Sequence, residues 1–202
     1  MSSPKLLESI RLVDGELPLL DYHQRRVDRS RRTYYPKGPA FRLAAVTNEL
    51  SLPTVGEYKL RLVYGAELLS WEVQPYSIRA VSSLQVVHAD DLCYGKKYAD
   101  RTAINGLYNR RGGCDDILIV QRNHVTDASY ANLALFDGSH WYTPAWPLLR
   151  GTRREFLIKQ KVLRPSVIRL RDIPHFQSIR LVNSMMEWDD GPTIRTEAVL
   201  GL

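Results

Sequence analysis

The sequence predicts an α+β fold in two parts, and three features indicate it. Paired runs of alternating apolar and polar residues, with turn residues between them, predict hairpins of antiparallel strands. Helix-like segments that end near glycine or proline lie between those runs. The chain has 202 residues, of which 44% are apolar and 25% charged, so it can bury a core in one large or two small domains.

The N-terminal part predicts an antiparallel sheet covered by two helices. LLESIRLVDGELPLLDYH is typical of a strand, a turn and a second strand, because Asp14-Gly15 favours a tight hairpin turn. Asp21 is placed to cap a helix over 22–35, and another helix is expected over 39–50. GEYKLRLVYG and ELLSWEVQPY then predict a second hairpin.

The C-terminal part alternates strands with helices. A helix is expected over 99–111, where a glycine pair favours its end, and DDILIVQ predicts a buried strand. YANLALF, DGSH and WYTP predict a strand, a turn and a strand, and a helix follows over 152–162. SVIRLRDI and SIRLVNSMM predict closing strands around a short helix. We expect a domain over 1–80 and another over 81–202.

The composition and the absence of several motifs argue against a number of functions. No run approaches the roughly 20 apolar residues that cross a membrane, and the N-terminus has no signal-peptide core, so a cytoplasmic location is expected. Two cysteines without a CxxC fit free thiols. None of the five histidines has metal-ligand spacing, so no metal is expected. GxSxG, GxGxxG and Walker-type loops are absent from the sequence.

The excess of positive charge is concentrated in YHQRRVDRSRRTYY. The net charge is +6, from 28 Lys+Arg against 22 Asp+Glu. On a helix, Arg25, Arg29 and Arg32 share one face, which is most often simply solvated. A nucleic-acid surface would interleave aromatic residues, and no recognised motif accompanies the cluster, so nucleic acid is not expected as a partner. A third interpretation needs only one arginine, aimed inward at a bound phosphate.

Two further stretches carry weak signals individually. Gly151 precedes a predicted helix whose first amides, those of Thr152 and Arg153, could bind an anion, although a plain helix start after a loop glycine is common. Asp127 follows a strand and is most simply a turn carboxylate. Asn132 begins an apolar run in which a polar side chain is less expected.

The order of these motifs is more specific than any one of them. His-x-x-Arg, Lys-x-x-Asp-Arg, Thr-Asp-Ala-Ser-x-x-Asn-Leu, Thr-Pro and Leu-Leu-x-Gly follow one another along the chain. The whole chain resembles the class IV pyridoxal-phosphate aminotransferases, which include branched-chain and D-amino-acid aminotransferases and 4-amino-4-deoxychorismate lyase. The resemblance implies a small N-terminal α+β domain, a larger C-terminal domain with a barrel-like sheet, cofactor in the crevice between them, and a homodimer.

The resemblance also implies roles for individual residues. Lys97, and not Lys96, matches the family register and would form the Schiff base with pyridoxal 5'-phosphate. Asp127 takes the position of the family's glutamate, which faces the pyridine nitrogen of the cofactor. Ser129 and Asn132 belong to the same motif and are implied cofactor contacts.

The phosphate contacts come from two other motifs. Arg26, at the end of His-x-x-Arg, matches the family's phosphate arginine. Gly151, Thr152 and Arg153 match the family's phosphate loop, in which Arg150 replaces a proline and the threonine stands one position early.

The expected function is that of a lyase acting in folate synthesis. It eliminates pyruvate from 4-amino-4-deoxychorismate to leave 4-aminobenzoate, with Lys97 as the general base. The short length and the absence of an obvious second motif for binding a carboxylate favour this interpretation. The alternative is an aminotransferase for branched-chain or D-amino acids. A third interpretation is a binding protein, either catalytically degenerate or bound to nucleic acid.

Overall fold

The structure is a computed structural model that describes residues 3–202. The chain divides into two compact units. Unit 1 comprises the chain up to Ser77 together with Lys96–Asp100, and unit 2 comprises Ile78–Gly95 and Arg101–Leu202. The predicted boundary between residues 80 and 81 stays a prediction. Lys96–Asp100, which includes the predicted Schiff-base residue Lys97, is grouped with unit 1, although it follows that boundary in the sequence.

Unit 1 is the predicted antiparallel sheet with two helices. Its elements are β1 (Leu6–Val13), α1 (Leu20–Tyr34), α2 (Leu43–Asn48), β2 (Glu57–Tyr64) and β3 (Leu68–Pro75). The strand order is β1-β2-β3, and both pairs are antiparallel. A core that includes Leu6, Ile10, Val27, Leu60 and Leu62 lies between the sheet and the helices. The hairpin of β2 and β3 is confirmed.

The predicted first hairpin is wrong beyond its turn. Asp14 and Gly15 have positive φ angles of 48° and 82°, as the tight turn requires. Only one bridge, from Val13 to Glu16, follows it. The pairing stops there because Pro18 has no amide hydrogen to donate, and β1 pairs instead with β2.

The start of α1 also differs from the prediction. Leu19 is the N-cap, in the left-handed region at φ 63°, and no side chain among residues 3–202 caps the helix. Asp21 lies inside the first turn. Its carboxylate there complements the positive end of the helix dipole instead of capping an amide.

Unit 2 contains two sheets around a shared core. Its elements are β4 (Leu84–His88), α3 (Thr102–Tyr108), β5 (Asp116–Gln121), β6 (His124–Val125), β7 (Asn132–Phe136), β8 (Trp141–Pro144), α4 (Thr152–Lys159), β9 (Leu163–Ser166), β10 (Ser178–Val182), β11 (Thr193–Arg195) and β12 (Val199–Leu200). The sheet orders are β12-β4-β5-β6 and β11-β10-β7-β8-β9. Leu118, Val120, Leu133 and Leu181, contributed by both sheets, meet in one core. The prediction of an α+β fold is confirmed.

One predicted closing strand is wrong. The stretch SVIRLRDI contributes only Ser166 to β9, and Leu170–His175 forms a 3₁₀ helix. The carboxylate of Asp172 accepts a hydrogen bond from the amide of Arg169 at 2.8 Å, which favours the turn over an extended strand. A second 3₁₀ helix, Thr196–Ala198, and the short strands β11 and β12 were not predicted.

Candidate active site

Lys97 lies on a short segment that pairs with the open edge of β1. Its carbonyl accepts a hydrogen bond from the amide of Leu7 at 2.9 Å, and the amide of Ala99 donates to the carbonyl of Lys5 at 2.9 Å. Tyr98 forms an isolated antiparallel bridge with the same strand. The backbone is therefore held on both sides of Lys97, whose side chain is half-buried.

Beneath this strand lies a fully buried cluster of charged and polar side chains. We name Glu8, His23 and Arg26 the carboxylate cluster. Arg26 Nε donates to Glu8 Oε1 at 2.9 Å, and Arg26 Nη2 forms a short ion pair with Glu8 Oε2. His23 Nδ1 lies 2.5 Å from Glu8 Oε2. Glu8 and His23 are 0% exposed and Arg26 is 5% exposed.

Electrostatics keep the carboxylate of this cluster ionised. Burial raises the pKa of Glu8, but the charge of Arg26 and the hydrogen bond and charge of His23 outweigh it and lower that pKa to about 2. Burial lowers the pKa of His23, opposed by Glu8 and assisted by the charges of Arg26 and Lys97. At neutral pH the cluster therefore contains a carboxylate, a guanidinium and a neutral imidazole.

The local sequence explains why these side chains meet. Leu6, Glu8, Ile10 and Leu12 are the residues of β1 that point to the core, at the strand period of two. The buried residues of α1 are spaced three and four apart: His23, Arg26, Val27, Ser30 and Arg31.

Arg26, predicted to bind the cofactor phosphate, is buried and pairs with Glu8, and its contact with a phosphate stays a prediction. Glu8 was missed. Its signal was the appearance of a carboxylate on the apolar face of a strand.

In unit 2, Asp127 is held in a small hydrogen-bond network. Its Oδ1 accepts from Asn132 Nδ2 at 2.7 Å and its Oδ2 accepts from the amide of Leu149 at 2.9 Å. Asn132 Nδ2 also donates to the carbonyl of Leu149 at 2.7 Å. Gly151 approaches so closely that a Cβ atom there would lie 2.0 Å from Asn132 Oδ1. The structure thus brings together three of the residues that the resemblance selected.

The carboxyl group of Asp127 is 5% exposed, and this burial raises its pKa. The amide of Leu149, the side chain of Asn132 and the charge of Arg154 oppose the effect, and the resulting pKa is about 6. A positive charge brought next to this carboxyl would lower its pKa and stabilise the carboxylate.

In the described part of the chain, the N-terminus of α4 has no side-chain cap and carries a buried hydroxyl. Gly151 is the N-cap and provides no side chain, so the first amides of the helix lack a side-chain cap. The hydroxyl of Thr152, on a residue that is 1% exposed, has no hydrogen-bond partner among residues 3–202. A buried hydroxyl beside a helix N-terminus fits an oxyanion such as the phosphate of pyridoxal phosphate.

Two arginines of α4 are engaged elsewhere in unit 2. Arg153 forms a bidentate ion pair with Glu187, at 2.7 and 2.8 Å. Arg154 donates to Thr143 Oγ1 at 3.0 Å and to the carbonyl of Pro144 at 2.7 Å. For Arg153, the group that matches the predicted phosphate loop is therefore the backbone amide.

Ser129 lies apart from the Asp127 network. Its hydroxyl donates to Asp116 Oδ2 at 2.9 Å, and its amide donates to Asp116 Oδ1 at 3.0 Å. Its carbonyl accepts from Arg101 Nη2 at 2.8 Å. These contacts support the turn that carries Asp127, and a direct role of Ser129 with the cofactor stays a prediction.

Residues 3–202 lack two other kinds of functional feature. No helix there is long and apolar enough to cross a membrane. No group of three or more His, Cys, Asp or Glu side chains there could hold a metal ion.

Comparison with known proteins gives a consistent result. The sequence model of the family described as Amino-transferase class IV matches residues 5–189. An uncharacterized protein of Haemophilus influenzae is 36% identical over 183 residues, which cover 89% of this chain and 97% of that protein.

Solved structures are also similar. One from Haemophilus somnus, named as a candidate 4-amino-4-deoxychorismate lyase, is 31% identical, with a TM-score of 0.84 over 92% of this chain and 98% of that chain. The pyridoxal-phosphate-bound form of a hypothetical aminotransferase from Mycobacterium tuberculosis is 19% identical and shares the fold. Its TM-score is 0.78, over 98% of this chain and 82% of that chain.

Proposed function

Because the chain belongs to the class IV aminotransferase family, we propose that it is a pyridoxal-phosphate-dependent 4-amino-4-deoxychorismate lyase. It eliminates pyruvate from its substrate and leaves 4-aminobenzoate, an aromatic precursor in folate synthesis. The observation that carries the choice of reaction is the 31% identity, over 92% of this chain, to the Haemophilus somnus protein of that name. Homodimer formation and a cytoplasmic location belong to the same proposal, and the resemblance to the family supports them.

Pyridoxal phosphate is the cofactor of this family, and when bound it supplies an electron-withdrawing ring that stabilises negative charge on the substrate carbon. We assign its phosphate to Arg26 and to the N-terminus of α4. The buried, unpartnered hydroxyl of Thr152 and the uncapped amides of Thr152 and Arg153 support the second assignment.

Asp127 is assigned to the pyridine nitrogen. Its carboxylate is oriented by Asn132 and by the amide of Leu149, so it can hold a proton at that nitrogen without rearrangement. Because its pKa of about 6 falls when a cation is adjacent, the residue is a carboxylate and not a carboxylic acid once it faces a protonated nitrogen. The aspartate therefore fulfils the charge requirement that the family meets with a glutamate.

Lys97 is assigned the proton transfers. In its unprotonated form, Nζ takes a proton from the substrate carbon that bears the amino group. It returns a proton to the substrate as the pyruvate leaves and the ring becomes aromatic. The hydrogen bonds that hold the backbone around Lys97 support this assignment, because they restrict where the amine can move.

The alternative is an aminotransferase that uses the same residues. The family's own designation, Amino-transferase class IV, favours this alternative. The two reactions differ after the first proton transfer, because an aminotransferase transfers the amino group to the cofactor and needs a 2-oxo acid to complete its cycle, whereas the lyase needs no amino acceptor.

The test is pyruvate release under multiple-turnover conditions. Purified protein loaded with pyridoxal phosphate is given 4-amino-4-deoxychorismate without any 2-oxo acid, and pyruvate is measured with lactate dehydrogenase while 4-aminobenzoate is followed by fluorescence. We expect both products in equal amounts and well beyond one per site. Absence of pyruvate, together with conversion of the cofactor to its amine form by branched-chain or D-amino acids, would establish the aminotransferase instead.

A further inference from the structure

Glu8 has no role in the proposed function, yet it is one of the most completely buried charges in the described part of the chain. Its side chain is 0% exposed and accepts from three donors: Arg26 Nε, Arg26 Nη2 and His23 Nδ1. Burying a carboxylate is costly unless such partners surround it. A non-polar residue at position 8 would continue the apolar face of β1, but it would leave the guanidinium of Arg26 buried without a counter-charge. The role of Glu8 is therefore tied to that of Arg26.

The first consequence of Glu8 concerns the guanidinium of Arg26. The two carboxylate oxygens take the Nε–Nη2 edge in a bidentate arrangement, which fixes both the rotamer and the plane of the group. A guanidinium is rigid and planar, so fixing one edge also fixes the direction of Nη1. Nη1 of Arg26 therefore already has a fixed direction in the absence of a bound oxyanion.

The second consequence concerns the ring of His23. Its Nδ1 faces a carboxylate that stays ionised, so the ring proton of the neutral imidazole resides on Nδ1. Its Nε2 is buried and has no hydrogen-bond partner among the described residues. The Glu8 carboxylate thus determines the tautomer of His23. In that tautomer Nε2 carries no proton and is a hydrogen-bond acceptor.

We infer that Glu8 is a positioning residue for the cofactor phosphate: by holding one edge of Arg26 and the Nδ1–H tautomer of His23, it orients the guanidinium that binds that phosphate. The inference rests on the proposed function, in which Arg26 contacts the phosphate. A positioning role differs from a purely structural role in its effect on affinity: loss of Glu8 should weaken the binding of ligands that carry a phosphate and leave the binding of ligands without one unchanged.

The test compares two ligands that differ only in the phosphate. Dissociation constants of the apoprotein for pyridoxal phosphate and for pyridoxal are measured by quenching of tryptophan fluorescence, in wild type and in Glu8→Gln. The amide of a glutamine has one oxygen that accepts and one NH₂ group that can only donate. In either orientation the NH₂ group faces Nε or Nη2 of Arg26, so Arg26 loses one hydrogen-bond acceptor. We expect the affinity for pyridoxal phosphate to fall about tenfold or more, as for one charge-assisted hydrogen bond, and the affinity for pyridoxal to stay within about twofold of wild type.

The matched control is Glu57→Gln on the same sheet. Glu57 accepts from Arg11 Nε at 2.7 Å, but its side chain is 37% exposed. Removing that charge should leave the ratio of the two dissociation constants unchanged.

The outcomes distinguish a failure of the proposed phosphate site from a failure of the positioning role of Glu8. If wild type binds pyridoxal as tightly as pyridoxal phosphate, the phosphate site of the proposed function is wrong. If wild type prefers the phosphate ligand and Glu8→Gln keeps the full preference, the positioning role is overturned while the proposed function stands. A loss of affinity for both ligands in equal proportion would also overturn it, because that is the result of a structural role.

Two measurements remain decisive if Glu8→Gln does not fold. Glu8→Asp keeps the charge on a shorter side chain, and we expect it to reduce the preference for the phosphate ligand partially; an unchanged preference contradicts the inference. In the wild-type apoprotein, ¹⁵N chemical shifts of the imidazole of His23, assigned by the loss of its signals in His23→Gln, should show the proton on Nδ1. A proton on Nε2 alone would overturn the role of Glu8 in setting the tautomer.

Discussion

Gly151→Ala tests whether the network around Asp127 depends on the close approach of a glycine. Gly151 has φ −71° and ψ 147°, a conformation that alanine adopts without strain, so the added methyl group is the only perturbation. That Cβ atom would lie 2.0 Å from Asn132 Oδ1 and 3.2 Å from Asn132 Cγ. The side chain of Asn132 must move by roughly 1 Å or more to relieve the overlap.

The cost follows from the hydrogen bonds that this movement breaks. Asn132 Nδ2 donates at 2.7 Å to the carboxylate of Asp127 and at 2.7 Å to the carbonyl of Leu149. A bond to a charged group contributes about 1.5–3 kcal/mol and a neutral one about 0.5–1.5 kcal/mol, so both together amount to about 2–4.5 kcal/mol. For a chain of this size we expect the melting temperature of the apoprotein to fall by about 5–15 °C.

The assay is thermal unfolding of the apoprotein, followed by circular dichroism, together with titration by pyridoxal phosphate. Gly113→Ala is the matched control, because a Cβ atom there meets no heavy atom within 4 Å. In the background of Asn132→Ala, the cost of Gly151→Ala should largely disappear, since the overlapping atoms are gone. If Gly151→Ala unfolds at the wild-type temperature and binds pyridoxal phosphate with wild-type affinity, the network around Asp127 does not depend on the close approach of Gly151.

Two further predictions concern the reactive groups. Borohydride reduction of the loaded protein, followed by digestion and mass spectrometry, should place the pyridoxyl group on Lys97; a label on Lys96 would overturn the register of the motif. For Asp127, the folded-state pKa of about 6 lies above the ordinary value of 3.8. Between these two pH values the folded apoprotein binds more protons than the unfolded chain. Its free energy of unfolding therefore falls as the pH rises from 3.8 to 6, by about 3 kcal/mol in total. Denaturant unfolding at pH 4 to 7.5 should show this fall in wild type and not in Asp127→Asn, and parallel curves for the two proteins would contradict the pKa.

The candidate site was predictable where a short stretch decides the direction of a side chain. The helical period separates Arg26 from the solvated arginines of the same segment, and its side chain is indeed buried. The hairpin of β2 and β3 followed from alternation and turn residues. The failures occurred where one residue overrides a pattern, as Pro18 does after the first turn and Asp172 does in the predicted closing strand.

By itself, the sequence determined the fold class, the family resemblance and the candidates Lys97 and Asp127, because periodicity and motif order are properties of neighbouring residues. Only the tertiary structure decided which groups surround those candidates. Glu8 meets Arg26 across 18 residues, and Asn132 meets the carbonyl of Leu149 across 17. Such contacts depend on how a strand and a helix pack, and on a backbone approach that glycine alone permits, and no spacing within a short window specifies either one.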